Sequence, residues 1–206
     1  MFVFHGDGGT GAGVRTGLPV EAAAGNNAIF VYPDATTASG RSFDLETPLA
    51  TNADIRLFQD LVASVRAQYC VDNGRIFAAG SSRGAFFSNI LNCRVGSSVL
   101  RAIGPHSGSI YAADATGYTT DGHVRCEGTA ASAMLVHGQS DTTVPITDGV
   151  YARDQWVWAD GCMSTTPAPR AGAWCGARSP RWATRRGAWR ARRCGASSAA
   201  SSVEAR

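Results

Sequence analysis

Between residues 2 and 104, short apolar runs alternate with amphipathic stretches, and this alternation most narrows what the chain can fold into. Runs buried on both faces, separated by segments long enough to cross over, make a parallel sheet covered by helices. Phe2 to Phe4 ends at His5-Gly6, and Ala28 to Tyr32 ends at Pro33-Asp34, so each reads as a buried strand entering a loop. From Thr51 to Tyr69 the apolar positions Ile55, Phe58, Val62, Val65 and Tyr69 recur at spacings of three and four, which predicts a helix. Thr51 and Asp54 stand at capping-box separation before it. Arg75 to Ala79 is the next strand; it runs into Gly80-Ser81-Ser82-Arg83-Gly84 and a helix through Phe86, Phe87, Ile90 and Leu91. Val99 to Ile103 and Ala133 to Val136 supply two more strands, and helical pattern returns around Val150 to Ala159.

With 206 residues and 44% hydrophobic content, the chain holds one globular domain with a sizeable core, which excludes overall disorder. No apolar run approaches the roughly 18 residues of a membrane-spanning helix, and the first residues do not form a signal peptide, so the chain is expected to be soluble. The net charge of +3 divides unevenly. Residues 1 to 164 carry 10 Arg against 15 acidic residues, and residues 165 to 206 carry 9 Arg against one. Periodicity also stops after Cys162, where an Arg-, Ala-, Gly- and Trp-rich tail begins. The expected division is a core over 1–162 and a basic tail over 163–206. That tail is disordered, or a nucleic-acid or membrane arm, or, as the complete absence of Lys and the abrupt charge change favour, translated out of frame. Arg runs alone are weak evidence for nucleic-acid binding, so neither nucleic acid nor membrane is expected as a partner.

Six cysteines without a C-x-x-C or a Cys/His cluster argue for disulfides in an exported protein rather than for a metal site. Their connectivity is open, and no cofactor or metal is expected.

The chemistry is concentrated at Gly80-x-Ser82-x-Gly84. Alone such a motif is weak. Here an apolar strand delivers the serine into a tight turn, and a helix follows whose first amides face the place where an oxyanion develops. Ser82 is therefore the expected nucleophile. Its acid is sought downstream in the order Ser, Asp/Glu, His, and Asp141 lies in a loop directly after a buried strand. An oxyanion hole needs two backbone N–H groups, expected from Arg83, directly after the nucleophile, and from Asp7 in the His5-Gly6-Asp7-Gly8-Gly9 turn. The same glycines suggest a phosphate cradle, but no Lys-Ser/Thr follows, which excludes a P-loop.

Taken together, His5-Gly6 after a strand, Tyr32-Pro33-Asp34, Tyr69-Cys70-Val71-Asp72, Gly80-x-Ser82-x-Gly84, Cys93, Ala102 to Gly108, His137-Gly138-x-x-Asp141-x-x-Val144-Pro145, and Trp156 to Gly161-Cys162 resemble the polyhydroxybutyrate depolymerase and feruloyl esterase family of secreted α/β-hydrolases. The resemblance covers about residues 1 to 162. It implies an α/β-hydrolase fold, a mostly parallel sheet flanked by helices, here truncated with N-terminal strands and a leader missing. It also implies a monomeric extracellular serine esterase acting through an acyl-enzyme on feruloyl, acetyl-polysaccharide or polyhydroxyalkanoate esters. Cys70, Cys93, Cys126 and Cys162 are family-like positions, whereas Cys175 and Cys194 are accidental if the tail is out of frame. Ala85 stands where the family commonly has a second glycine.

One departure bears on activity. The family's base follows its acid in a Gly-His context, yet the histidines here are His5, His106, His123 and His137, all before Asp141. The catalytic histidine is thus unassigned, with His5 and His106 read as structural, and low turnover is expected. The competing class is a non-catalytic polymer- or carbohydrate-binding protein on a hydrolase scaffold.

Overall fold

The computed structural model describes residues 1–37 and 41–161, together with the backbone of 202–203. Strands β1 (Phe2–Phe4), β2 (Phe30–Val31), β3 (Phe77–Ser81), β4 (Ala102–His106), β5 (Ser132–Ala133) and β6 (Ser202–Val203) form one sheet of order β5-β4-β3-β1-β2-β6. Every pairing in it is parallel. Helices α1 (Gly11–Gly17) and α2 (Val20–Ala24) connect β1 to β2, α3 (Ala53–Gln68) connects β2 to β3, α4 (Arg83–Arg94) connects β3 to β4, and α5 (Ile146–Ala159) follows β5. Cys162 and the rest of the expected tail, with Cys175 and Cys194, lie outside the described residues.

The two faces follow from strand alternation in β1. Val3 packs with Phe30, Tyr32 and Val14 on the side of α1, while Phe2 and Phe4 face α3 and α4. Phe4 meets Phe87 of α4 edge-on at 4.9 Å between ring centroids and Phe43 at 5.3 Å, and Phe43 stacks on Phe87. Because β1 connects outward to β2 on one side and β3 connects outward to β4 on the other, the strand order reverses between β1 and β3. Open α/β sheets leave a crevice at the C-terminal ends of such a strand pair. His5-Gly6-Asp7 and Ser82 stand at that point.

The predicted strands exist, but their paired portions differ from the apolar runs. β3 pairs over Phe77–Ser81 rather than Arg75 to Ala79, and β4 over Ala102–His106 rather than Val99 to Ile103, after a short 3-10 turn at Gly96–Ser98. Apolarity marks where a strand is buried, and the ladder continues past it into the polar residues that carry the site. The apolar run Ala28 to Tyr32 contributes only Phe30–Val31 to the ladder, and Ala133 to Val136 contributes Ser132–Ala133 plus an isolated pairing of His106 with Val136. The expected capping role of Thr51 falls to Asn52, whose side-chain oxygen accepts from the Asp54 and Ile55 amides. Thr51 instead hydrogen-bonds the Pro48 carbonyl. Asp54 is 1% exposed, and its carboxylate accepts from the Thr36 and Asp44 amides, so it staples the loop after β2 to α3.

Helix α4 is buried on nearly every side, which its polar residues make possible. Gln155 of α5 pairs with both backbone groups of Val124, and within α4 Asn92 pairs with both backbone groups of Ala131 while Asn89 donates to the Ser109 carbonyl and accepts from Trp156. A Cys93–Cys126 disulfide ties the same helix to the 109–127 loop, and Cys70 is also disulfide-bonded. The Cys93–Cys126 bond closes a sequence separation of 33, which corresponds to roughly 4 kcal/mol of loop-closure entropy. A Cys93→Ser/Cys126→Ser variant is expected to melt about 10 °C lower by circular dichroism; an unchanged melting temperature would show the loop to be held by the asparagine network alone.

Candidate active site

Ser82 is where β3 ends and α4 begins, and its backbone is at φ +53°, ψ −124°. A non-glycine residue in that region is strained, and only a surrounding structure that over-determines the turn holds it there. The motif glycines show what does so. A Cβ on Gly80 would lie 2.3 Å from the Gly84 carbonyl oxygen, and a Cβ on Gly84 would lie 2.2 Å from the Phe4 carbonyl oxygen and 2.6 Å from that of His5. Both positions are closed to a side chain by backbone. The Ser82 amide donates to the His106 carbonyl at 3.0 Å, fixing the turn to β4, and the Ser82 carbonyl accepts from Ala85 and Phe86 as the first helical bonds. Ala85 is fully buried, and Gly108 makes room for it, since a Cβ there would fall 2.5 Å from the Ala85 Cβ.

The two amides expected to form an oxyanion hole come from segments that touch. A Cβ on Gly6 would sit 3.4 Å from the Ser82 Cβ and 3.9 Å from its Oγ, so the turn containing Asp7 lies directly against the serine. The Asp7 and Arg83 amides donate to no backbone carbonyl in any turn, loop or cap among the described residues. Residues 41–46 strap these segments together. The Gly8 amide donates to the Arg41 carbonyl, Ser42 hydrogen-bonds the Asp7 carboxylate, and the Arg83 Nε donates to the Phe43 carbonyl at 2.6 Å. The Arg83 guanidinium also pairs with Glu46 at 3.3 Å. Burial works to raise the Asp44 carboxyl, but hydrogen bonds from Thr47 and Glu46, with the Arg83 charge, hold it below the ordinary carboxylate range. Burial and the Glu46 charge push the Tyr111 hydroxyl up to about 12.

Asp141 lies in the loop that opens two strands away from Ser82. Ser81 pairs with His106 and His106 with Val136, so the residues after them, Ser82, Ser107 and His137, open the three loops side by side. Two strand spacings put the backbones of the first and third roughly 10 Å apart. The Asp141 Oδ1 accepts from the Val144 and Thr143 amides, and these bonds, with the Ser107 hydroxyl, hold its carboxyl below the ordinary range. Their stabilising contribution is present above that range and lost as the pH falls below it, through the lowered value. Ser107, itself at φ +54° and buried, donates its amide to the Val136 carbonyl and so ties the end of β4 to the segment that leads into the Asp141 loop.

None of the four histidines is hydrogen-bonded to Ser82. His5 is buried against Phe43 with its Nδ1 at the Gly6 carbonyl, His106 is exposed with its Nδ1 3.4 Å from the Ser81 Oγ, and His123 stacks on Trp158. His137 hydrogen-bonds the Val144 carbonyl at 2.8 Å, with its Nε2 4.0 Å from Asp141, and its ring packs where a Cβ on Gly149 would be. Sequence reasoning missed Ser107, the strap and the tie from His5 to Gly6. A lone serine or histidine in a polar loop carries no periodic signal. Among the described residues no group of three or more His, Cys, Asp or Glu could hold a metal ion, and no helix is long and apolar enough to cross a membrane.

The parallel sheet, its strand-order reversal and the strained strand–serine–helix turn are those of the α/β-hydrolase fold. Among curated proteins the chain is similar to feruloyl esterases. It is 26% identical over 157 residues to a probable feruloyl esterase C of Aspergillus terreus, covering 75% of this chain and 51% of that protein. The corresponding protein of Aspergillus oryzae matches at the same identity and coverage. The chain therefore spans about half the length of these relatives. Among solved structures, an acetyl xylan esterase from Aspergillus awamori superposes with a TM-score of 0.60 at 20% identity, over 78% of this chain and 69% of that one. Esterase PE8 superposes at 0.54 and 21% identity, over 76% and 75%. These structures share the fold. No protein-family model matches the chain.

Proposed function

We propose that this chain carries the nucleophile, acid and oxyanion-binding parts of a secreted, monomeric serine carboxylic-ester hydrolase. Ser82 attacks the ester carbonyl, the Asp7 and Arg83 amides hold the oxyanion, and Asp141 orients the base. The observation that carries this reading is the left-handed backbone of Ser82 at the switch point of the sheet, held by two glycines that tolerate no side chain. A serine held at such a turn presents its Oγ above the sheet, where the following helix N-terminus and the Gly6-Asp7 turn supply donors. The names of the relatives favour esters of feruloyl or acetyl groups on polysaccharide; polyhydroxyalkanoate esters are the further class suggested by the sequence motifs. Because no histidine follows Asp141, turnover by this chain is expected to be only the residue left by binding and the oxyanion hole, about 10³ to 10⁴ over water.

The test is hydrolysis of methyl ferulate and p-nitrophenyl acetate by the protein and by Ser82→Ala. Loss of at least ten-fold in the variant is expected once imidazole supplies the base, and equal rates with imidazole present would remove Ser82 from the mechanism. A second reading, a binding protein on a hydrolase scaffold, is favoured by the absence of any histidine bonded to Ser82. It predicts binding to xylan or a polyester film that survives Ser82→Ala, with no turnover by either protein.

A further inference from the structure

The Gly6 carbonyl and the Asp7 amide belong to one peptide bond, and in a trans peptide the C=O and N–H point in opposite directions. Whatever fixes the carbonyl therefore aims the amide. Two donors fix it. The His5 Nδ1 lies 2.8 Å from the Gly6 oxygen, and because a carbonyl only accepts, that nitrogen carries the proton. The Gly9 amide donates to the same oxygen at 3.0 Å. The His5 ring is 1% exposed, packs on Phe43 at 4.6 Å, and leaves its buried Nε2 without a hydrogen-bond partner among the described residues. A histidine buried merely to fill space would be replaced by an apolar side chain without loss, since an unpartnered buried nitrogen carries a desolvation cost. Gly9 is fitted to the same contact: a Cβ there would lie 2.9 Å from the Gly6 oxygen and 3.3 Å from the His5 Nδ1.

We infer that His5 is a positioning residue, whose Nδ1–H holds the Gly6 carbonyl so that the Asp7 N–H of the same peptide faces the Ser82 side of the crevice. The inference rests on the proposed role of the Asp7 amide as an oxyanion donor. The tie acts in the free protein, so the donor is in place before an oxyanion forms, and no reorganisation accompanies the reaction. A free peptide at this point would let the Gly6 oxygen turn toward the developing negative charge and repel it.

The experiment uses the full chain and three variants: His5→Phe, which keeps the ring packed on Phe43 and removes the donor; His5→Asn, whose amide nitrogen replaces Nδ1; and Gly9→Ala, which displaces the carbonyl from its other side. Two quantities are read, p-nitrophenyl acetate turnover and hydrogen exchange at the Gly9 amide, whose bond to the Gly6 oxygen reports the peptide's orientation directly. His5→Phe is expected to lower kcat about 30-fold with KM within twofold, as removal of one oxyanion donor costs roughly 10² to 10³. Gly9 exchange is expected to accelerate at least tenfold, and His5→Asn to recover both to within about fivefold. Unchanged kcat and unchanged Gly9 protection in His5→Phe overturn the inference. If His5→Phe does not fold, Gly9→Ala decides by the same split between kcat and KM. If turnover supported by added imidazole proves independent of Ser82, the esterase reading falls, and Gly9 protection in His5→Phe alone decides whether His5 holds the peptide.

Discussion

Gly84→Ala is expected to abolish folding of the domain. Its Cβ would enter the space of two main-chain oxygens, at 2.2 Å from that of Phe4 and 2.6 Å from that of His5, where the central strand β1 runs under the first turn of α4. Neither oxygen is the end of a flexible side chain. Relief requires α4 to rise off the sheet, and α4 carries Phe87, Ile90 and Leu91, all essentially inaccessible to solvent. Overpacking ordinarily costs about 1 to 3 kcal/mol when side chains can adjust. Here backbone must separate from backbone, so the loss belongs in the rare class above about 4 kcal/mol, a large part of the 5 to 15 kcal/mol that domains possess. The check is thermal unfolding by circular dichroism of whatever soluble protein is recovered. A Gly84→Ala protein that melts within about 3 °C of its parent would mean that β1 and α4 are further apart than described.

The same contact shows why the strand–serine–helix turn was legible in the sequence. The G-x-S-x-G pattern is the chemical statement that a strand and a helix meet too closely for side chains on either side of the serine. The alternation of apolar runs located β1, β3 and β4, and the order Ser82 then Asp141 followed from the segments after β3 and after the Ala133 to Val136 run. What escaped notice is polar and paired across long sequence distances. Asn89 and Asn92 sit on a helix whose pattern reads as apolar, and they are buried because Ser109, Ala131 and Trp156 complete their hydrogen bonds. Those partners are 20 to 67 residues away, beyond any local window. The capping shift from Thr51 to Asn52 has a nearer cause. Both residue types are good caps, and the choice was made by Asp44, whose carbonyl accepts from the Asn52 side chain. The strand ends moved toward Ser82 and Ser107 for a related reason: at the rim of a parallel sheet, ladder pairing persists after the apolar signal has ended.

Imidazole supplied in solution is expected to raise the hydrolysis of methyl ferulate in a Ser82-dependent manner, by roughly ten- to a hundredfold at about 0.1 M. A positioned general base contributes about 10² to 10⁴ to such reactions. On the proposed reading the base would act between Ser82 and Asp141, the latter in the loop two strands away with its carboxyl held below the ordinary range by the Val144 and Thr143 amides and the Ser107 hydroxyl. A diffusing imidazole pays the entropy of its own capture, so only part of the full factor returns. The four histidines of the chain cannot substitute while they stay in their present contacts, for His5 and His137 are spent on carbonyls, His123 on Trp158, and His106 faces Ser81. The decisive comparison subtracts the rate with Ser82→Ala, which removes the direct attack of imidazole on the ester. It also includes Asp141→Asn, which is expected to cut the rescued rate about tenfold while leaving the rate without imidazole nearly unchanged, because the acid acts only through the base. Equal acceleration of all three proteins would show that imidazole reacts in solution alone, and that Ser82 and Asp141 do not frame a site for a base.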